Sequence, residues 1–416
     1  MSKLIIEGER PLYGSVRIHG AKNSVLPILA AAVLCGGTSV IENCPDITDV
    51  RVSLDILKQL GCGVSFADNV AVIDSSGAAS SFISEQLMRK MRSTVIFAGA
   101  LIGRNKKATV SYPGGCNLGS RPIGLHLDAF RKLGVTVTEK HGYVYCAADK
   151  IVGADIFLDT PSVGATENIM LAATVSEGVT TVLNAACEPE IVDLQNFLNK
   201  TGAKISGGGT STIKIEGVKS LNGAVHSVIP DRIVAASYLI AAAATGGNVT
   251  VMNTETEHII PVISVLEDCG CHIEYKPNTV NIKSNGSIKA VGSLRTLPYP
   301  GFPTDAQSPM SALLSVADGT SIVTETLFDS RFDYTAELNR MGADIRIEGA
   351  SAIIKGVRRL SGAKVTAPDL RGAAALVIAG LRADGITEIH GIHHLDRGYQ
   401  GFETGLAGLG ARIRRV

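Results

Sequence analysis

Six times along the chain the sequence passes from what reads as a helix end, through a glycine, into alternating apolar residues. The copies are ILKQLGCGVSF at 56–66, AFRKLGVTVTE at 129–139, FLNKTGAKISG at 197–207, VLEDCGCHIEY at 265–275, ELNRMGADIRI at 337–347 and GLAGLGARIRR at 405–415. A glycine just past the last helical turn takes the left-handed conformation that closes a helix, and the alternation after it fits a half-buried strand. Gly61, Gly134, Gly202, Gly270, Gly342 and Gly410 therefore mark a period of roughly 70 residues that fills the chain.

Upstream of each glycine lies an Ala-rich segment opened by polar residues: GAKNSVLPILAAAVL, MRKMRSTVIFAGALI, VGATENIMLAATVS, PDRIVAASYLIAAAA, PTDAQSPMSALLSVA and DLRGAAALVIAGLRA. Strands such as GTSVIEN, GVTTVLN, NVTVMN and TSIVTET follow most of them, and a second, amphipathic helix comes before the glycine. A mostly apolar first helix with an amphipathic second one predicts an inner and an outer helix around a common axis. A chain of 416 residues exceeds the usual size of one core. The expected fold class is thus α/β, with two domains of three repeated units each.

Composition narrows the function. Lys and Arg (39) balance Asp and Glu (39), which argues against nucleic acid as a partner, so any anion site must be local. The eight cysteines are scattered through a chain with no secretory pattern and read as free thiols. Cys269 and Cys271 form a C-x-C without a second pair or a His cluster, so no metal site is expected. No apolar stretch is long enough to span a bilayer, and MSKLIIEGERPLYG lacks a signal-peptide pattern, so a soluble cytoplasmic protein is expected.

What differs among the copies points to a site. The inner-helix starts carry Lys22 with Asn23, Arg92, Ser162 to Gly164, Asp231 with Arg232, Asp305, and Asp369 with Arg371. The loops after the next strand carry Asp46 with Asp49, Cys116 with Arg121, Glu188 with Asp193, His258, Phe328 with Arg331, and Asp396 with Arg397. Equivalent copies would gather these positions at one edge of each domain. Helix N-termini there, with added cations, would bind anions. Two such edges would form a cleft that closes on its ligand. A lone Asp or Ser at a helix start reads equally as an N-cap, and Arg371 and Arg397 equally as surface cations. Lys22 opposes the helix dipole, so an anionic ligand explains it better than a structural role. His393 and His394 read as loop residues.

The segments GAKN at 20–23, PGGCNLGSRPIGLH at 113–126, NAACEPEIVD at 184–193, FPTDAQ at 302–307, FDSRF at 328–332, PDLRG at 368–372 and HLDRGY at 394–399 together resemble the enolpyruvyl transferases, in order and over essentially the whole length. More narrowly they resemble the branch acting on UDP-N-acetylglucosamine, because the sister branch acting on shikimate 3-phosphate lacks the loop thiol. The resemblance implies an inside-out α/β barrel for each domain, with 22–229 forming one and 1–21 plus 230–416 the other. It implies an active site in the interdomain cleft. The alternatives are the sister activity and a non-catalytic sugar-nucleotide-binding paralogue.

The implied reaction transfers the enolpyruvyl group of phosphoenolpyruvate to the 3-hydroxyl of UDP-N-acetylglucosamine, with no cofactor and no metal. Lys22, Arg121 and Arg397 would hold the phosphate and Arg331 and Arg371 the carboxylate, planar Arg forks suiting both groups. Asp305 would act as base, and Cys116 on its glycine loop would give a proton to C3 and be the nucleophile that the epoxide fosfomycin alkylates. The sugar nucleotide would lie against Asn23, Arg92, Arg121, Pro122, Ile123, Gly124, Leu125, Ser162, Val163, Gly164, Asp305 and Leu327, with Phe328 beside Arg331 and with Glu188, Asp231 and Asp369 completing the wall. Some relatives carry Asp at Gly124 and Lys at Thr160, so contacts to uracil and diphosphate differ at these two places.

Overall fold

The computed structural model describes residues 2–114, 123–329 and 331–416. The chain forms two compact units. One takes the N-terminal residues through His19 together with Pro230–Val416, and the other takes the described residues from Gly20 to Ile229. Each has its own apolar core, one built from residues between Val25 and Val228, the other from Leu4, Ile6, Leu12 and Ile18 with residues from Val234 onward.

In the unit from Gly20 to Ile229, strand Thr38–Glu42 pairs in parallel with Val225–Ser227 on one side. On its other side it pairs antiparallel with Val70–Asp74, which in turn carries Gly63–Ala67 at the edge. The same order recurs with Asp155–Phe157, Val179–Leu183, Thr212–Glu216 and Lys204–Ser206. In the other unit it recurs with Ser293–Arg295, Thr320–Thr324, Ser351–Lys355 and Asp344–Glu348. Strand Leu4–Glu7 lies between Ile386–His390 and Arg412–Arg415. Strand Tyr13–Arg17 adds in parallel to Asn248–Met252.

Local chemistry explains these elements. All six capping glycines have positive φ, from 83° at Gly134 to 108° at Gly202, a region costly for any side chain. Asn43, Asn184 and Asn253, each the first residue after a strand, also have positive φ (52°, 57° and 56°). Their amides donate to the carbonyls of Val228, Leu158 and Ile18 at 2.8, 2.7 and 2.6 Å, tying the strand end to a neighbouring segment. The first helix of a copy is buried nearly all round; in Arg232–Thr245 every residue from Ile233 to Ala244 is buried. The second is amphipathic, as in Thr48–Gln59.

One predicted helix is broken. The segment 88–102 divides into the single turn Glu85–Met88, a 3-10 turn Arg92–Val95 and the helix Ile96–Asn105. Met91 is extended, and the Thr94 hydroxyl donates towards the carbonyls of Met88 and Met91 at 3.0 and 2.9 Å, taking acceptors that a continuous helix would use. Among the described residues no helix is long and apolar enough to cross a membrane.

Candidate active site

In the unit containing Pro230–Val416, Asp305 is the second residue of helix Thr304–Leu314. It receives two guanidinium groups: Arg331 Nη2 on Oδ1 at 2.6 Å and Arg371 Nη2 on Oδ2 at 2.7 Å. Both arginine side chains are only 4% exposed, against 23% for that of Asp305. Burial pushes the Asp305 carboxyl up, but Arg371 and Arg331 outweigh it and hold it well below the usual carboxylate range. Burial opposes the charge of Arg371 as well, and Asp305 overrides it, so the guanidinium stays charged. Two buried donors, Arg331 Nε and Arg371 Nη1, have no acceptor among the described residues. A pair of desolvated forks with N–H groups to spare suits a small carboxylate.

Aromatic rings flank the pair. Phe328 lies 4.9 Å from the Arg331 guanidinium and Tyr399 5.5 Å from that of Arg371, while the Tyr399 hydroxyl meets Ser237 Oγ at 2.8 Å. Asp231 and Asp369 are N-caps: Asp231 accepts from the amides of Ile233 and Val234, and Asp369 from those of Arg371 and Gly372. The Asp369 cap fixes the backbone on which Arg371 rides. Arg397 ends the 3-10 turn Leu395–Arg397, and Leu327 is exposed on the loop before Arg331.

In the other unit, Lys22 begins helix Lys22–Ala31 with Asn23 behind it. The expectation that a structural role would explain Lys22 poorly is corrected here. Its Nζ lies 2.8 Å from Asp49 Oδ2, and both groups are buried. Asp49 is in the first turn of helix Thr48–Gln59 rather than in a loop, and Asp193 likewise lies within helix Pro189–Lys200. The ion pair offsets the cost of a cation at a helix start and fixes where the ammonium sits.

Ser162 caps helix Val163–Ala173 by accepting from the Ala165 amide at 3.3 Å. Beside that helix start is His126. A Cβ added to Gly164 would fall 3.1 Å from its Cε1, so a side chain there would crowd the ring. The Asn168 amide meets His126 Nδ1 at 2.7 Å, and burial, then the charge of Arg92, pushes the imidazole down to about 4. Arg92 opens the turn Arg92–Val95 and is half-buried. Ile123 is buried, Gly124 begins helix Gly124–Lys132 and is exposed, and Leu125 is half-buried. Thr160 is exposed, and Glu188 precedes helix Pro189–Lys200. Near it Glu167 is buried, and burial, then Glu190 and Glu188, raise its carboxyl well above the usual range.

Cys116, Arg121 and Pro122 lie outside the described residues. The other seven cysteines are free thiols. Reading the sequence missed His126 and Asn168 here, and beside Asp305 it missed Thr304, whose oxygen accepts from Arg331 Nη1 at 2.7 Å, and Glu325, which accepts from the Thr304 hydroxyl at 2.8 Å. For Thr304 and His126 a signal existed, since each stands inside a segment that carried the family resemblance. For Asn168 and Glu325 no motif marks the residue.

The family profile described as EPSP synthase (3-phosphoshikimate 1-carboxyvinyltransferase) matches residues 6–406. The chain is 54% identical over 416 residues to a protein named UDP-N-acetylglucosamine 1-carboxyvinyltransferase 2 from Caldanaerobacter subterraneus subsp. tengcongensis, covering 100% of both chains. It is 51% identical over 418 residues to a protein of the same name from Carboxydothermus hydrogenoformans, again covering 100% of both. Among solved structures, the enolpyruvyl transferase NikO from Streptomyces tendae is similar with a TM-score of 0.90 at 25% identity, over 100% of this chain and 99% of that one. An EPSP synthase from Acinetobacter baumannii shares the mixed α/β, two-domain fold with a TM-score of 0.76 at 18% identity, over 100% and 99%. By the profile match and by these full-length identities, the chain belongs to the EPSP synthase family of enolpyruvyl transferases.

Proposed function

We propose that the chain transfers the enolpyruvyl group of phosphoenolpyruvate to the 3-hydroxyl of UDP-N-acetylglucosamine, releasing phosphate, and so commits that sugar nucleotide to peptidoglycan synthesis. Full-length identity of 54% to a transferase named for that acceptor favours it over shikimate 3-phosphate. The observation that carries the chemistry is Asp305 held between two buried arginines that keep N–H groups to spare.

In this reading Arg331 and Arg371 take the substrate carboxylate, and Lys22, Arg121 and Arg397 the phosphate. Asp305 accepts the proton of the sugar hydroxyl as its oxygen bonds to C2, while Cys116 delivers a proton to C3. C2 then carries both the sugar oxygen and the phosphate. Loss of a C3 proton re-forms the double bond as the C2–O bond to phosphate breaks. Asp305 flanked by two cations is a weak base at rest. A carboxylate arriving on the same guanidinium groups competes for their charge and restores its basicity.

The sugar nucleotide rests on Asn23, Arg92, Arg121, Pro122, Ile123, Gly124, Leu125, Ser162, Val163, Gly164, Asp305 and Leu327. Glu188, Asp231, Phe328 and Asp369 complete the proposed set of substrate-binding residues. The proposed domains are 22–229 and 1–21 with 230–416, each of three repeated units in an inside-out barrel; the recurring strand order supports this.

Phosphate release from phosphoenolpyruvate, measured with each acceptor in turn, tests the proposal. Turnover is expected with UDP-N-acetylglucosamine and not with shikimate 3-phosphate. The opposite preference, or no release with either acceptor, overturns it.

A further inference from the structure

Glu325 follows strand Thr320–Thr324 and is 2% exposed. A buried carboxylate must have donors on both oxygens to be tolerated. Oε1 accepts from the Thr296 hydroxyl and from the Leu327 amide, both at 2.9 Å, and Oε2 accepts from the Thr304 hydroxyl at 2.8 Å. Thr304 has one hydroxyl proton. With that proton committed to Glu325, its oxygen is left as an acceptor, and Arg331 Nη1 donates to it at 2.7 Å. The second arm of the same fork, Nη2, is the one on Asp305. An ionised carboxylate only accepts, so Glu325 sets the direction of every hydrogen bond in the row from itself through Thr304 to Arg331.

We infer that Glu325 is a positioning residue for the transfer reaction, acting through the Thr304 hydroxyl to aim the Arg331 fork at Asp305 and at the incoming carboxylate. The inference rests on the enolpyruvyl transfer proposed above. Here Glu325→Gln keeps an oxygen for Thr296 and Leu327 but presents an NH2 to Thr304. The Thr304 oxygen then faces two donors, its own proton has no acceptor, and Arg331 loses a counter-charge. Leu327 keeps its hydrogen bond, so its proposed contact with the sugar nucleotide is left as it was.

The test is steady-state kinetics of Glu325→Gln, Thr304→Val, Thr304→Ser and the Glu325→Gln/Thr304→Val double variant, with thermal melts to confirm folding at the assay temperature. Charge-assisted hydrogen bonds of this kind predict a fall of about tenfold to a hundredfold in kcat/KM for phosphoenolpyruvate in Glu325→Gln and in Thr304→Val. KM for the sugar nucleotide should stay within about threefold, Thr304→Ser should restore most activity, and the double variant should be no worse than the poorer single one. An active wild type with Glu325→Gln equally active, or single losses that multiply in the double variant, overturns the positioning role alone. A wild type that releases no phosphate sinks the transferase reading and this inference with it.

Discussion

Arg371 Nη2 lies 2.7 Å from Asp305 Oδ2, while Arg331 Nη2 lies 2.6 Å from Oδ1, so one carboxylate divides its two oxygens between two buried cations. Asp305→Asn removes the negative charge on which both guanidinium groups converge. Turnover is expected to fall by at least about a hundredfold, the scale of a lost general base. Breaking a buried ion pair from one side also costs on the order of 3 kcal/mol, so the variant should melt earlier. Phosphate release, measured at a temperature where the melt shows the variant folded, separates the two effects. Near wild-type turnover would assign the base to another residue.

The six glycine caps were legible because a helix stop and the alternation after it are local properties; each of the six has the positive φ that the cap requires. Asn43, Asn184 and Asn253 stood in plain view at the ends of IEN, VLN and VMN, and their recurrence carried the same information as the glycines. The break before Ile96 was not legible, since it depends on one threonine hydroxyl reaching two carbonyls. Nor was the partner of Lys22: Asp49 is 27 residues away by number, and only the packing of two helices brings the charges together. The same holds for Asp305, Arg331 and Arg371, which no spacing rule joins. Family resemblance grouped them, and the tertiary fold sets their distances.

Gly124 stands where the family resemblance implies Asp in some relatives. It begins helix Gly124–Lys132, is exposed, and a Cβ added there meets nothing within 4 Å. Gly124→Asp should therefore fold and gain on the order of 0.5–1 kcal/mol, from lower chain entropy and a carboxylate at a helix start. If the uracil lies beside this helix, the new acceptor should lower KM for UDP-N-acetylglucosamine by about tenfold with kcat unchanged. A higher melting temperature with an unaltered KM would place the nucleotide elsewhere.

Two replacements of Cys116 separate acid from nucleophile. Cys116→Asp should keep substantial turnover, since a carboxylic acid carries the proton, and should resist alkylation by an epoxide, a carboxylate being a far weaker nucleophile than a thiolate. Cys116→Ser, whose hydroxyl is a poor acid, should lose most turnover. Phosphate release and mass spectrometry after epoxide treatment check both. An active Ser variant beside an inactive Asp variant would rule out the acid role.

His126 offers a prediction in pH. The Gly99 amide donates to Asn168 Oδ1 at 2.7 Å and Asn168 Nδ2 donates to the Val95 carbonyl at 3.2 Å, so the amide orientation is fixed. The same Nδ2 then donates to His126 Nδ1 at 2.7 Å, which leaves the ring proton on Nε2 and makes the neutral imidazole the form that fits. Burial, then Arg92, moves its pKa from 6.5 to about 4. The unfolded chain takes up a proton as pH falls through 6.5 and the folded chain does not, so stability is lost between pH 6.5 and about 4. The loss approaches about 1.4 kcal/mol per pH unit, or about 3 kcal/mol across the window. His126→Gln supplies an amide oxygen to Asn168 and nothing that titrates. Its denaturation free energy, measured by urea melts from pH 7 to pH 4, should therefore fall less steeply than that of the wild type, with the two curves converging at the acid end. Parallel curves would mean that His126 takes up its proton alike in the folded and unfolded chain, and that Asn168 does not hold the ring in its neutral form.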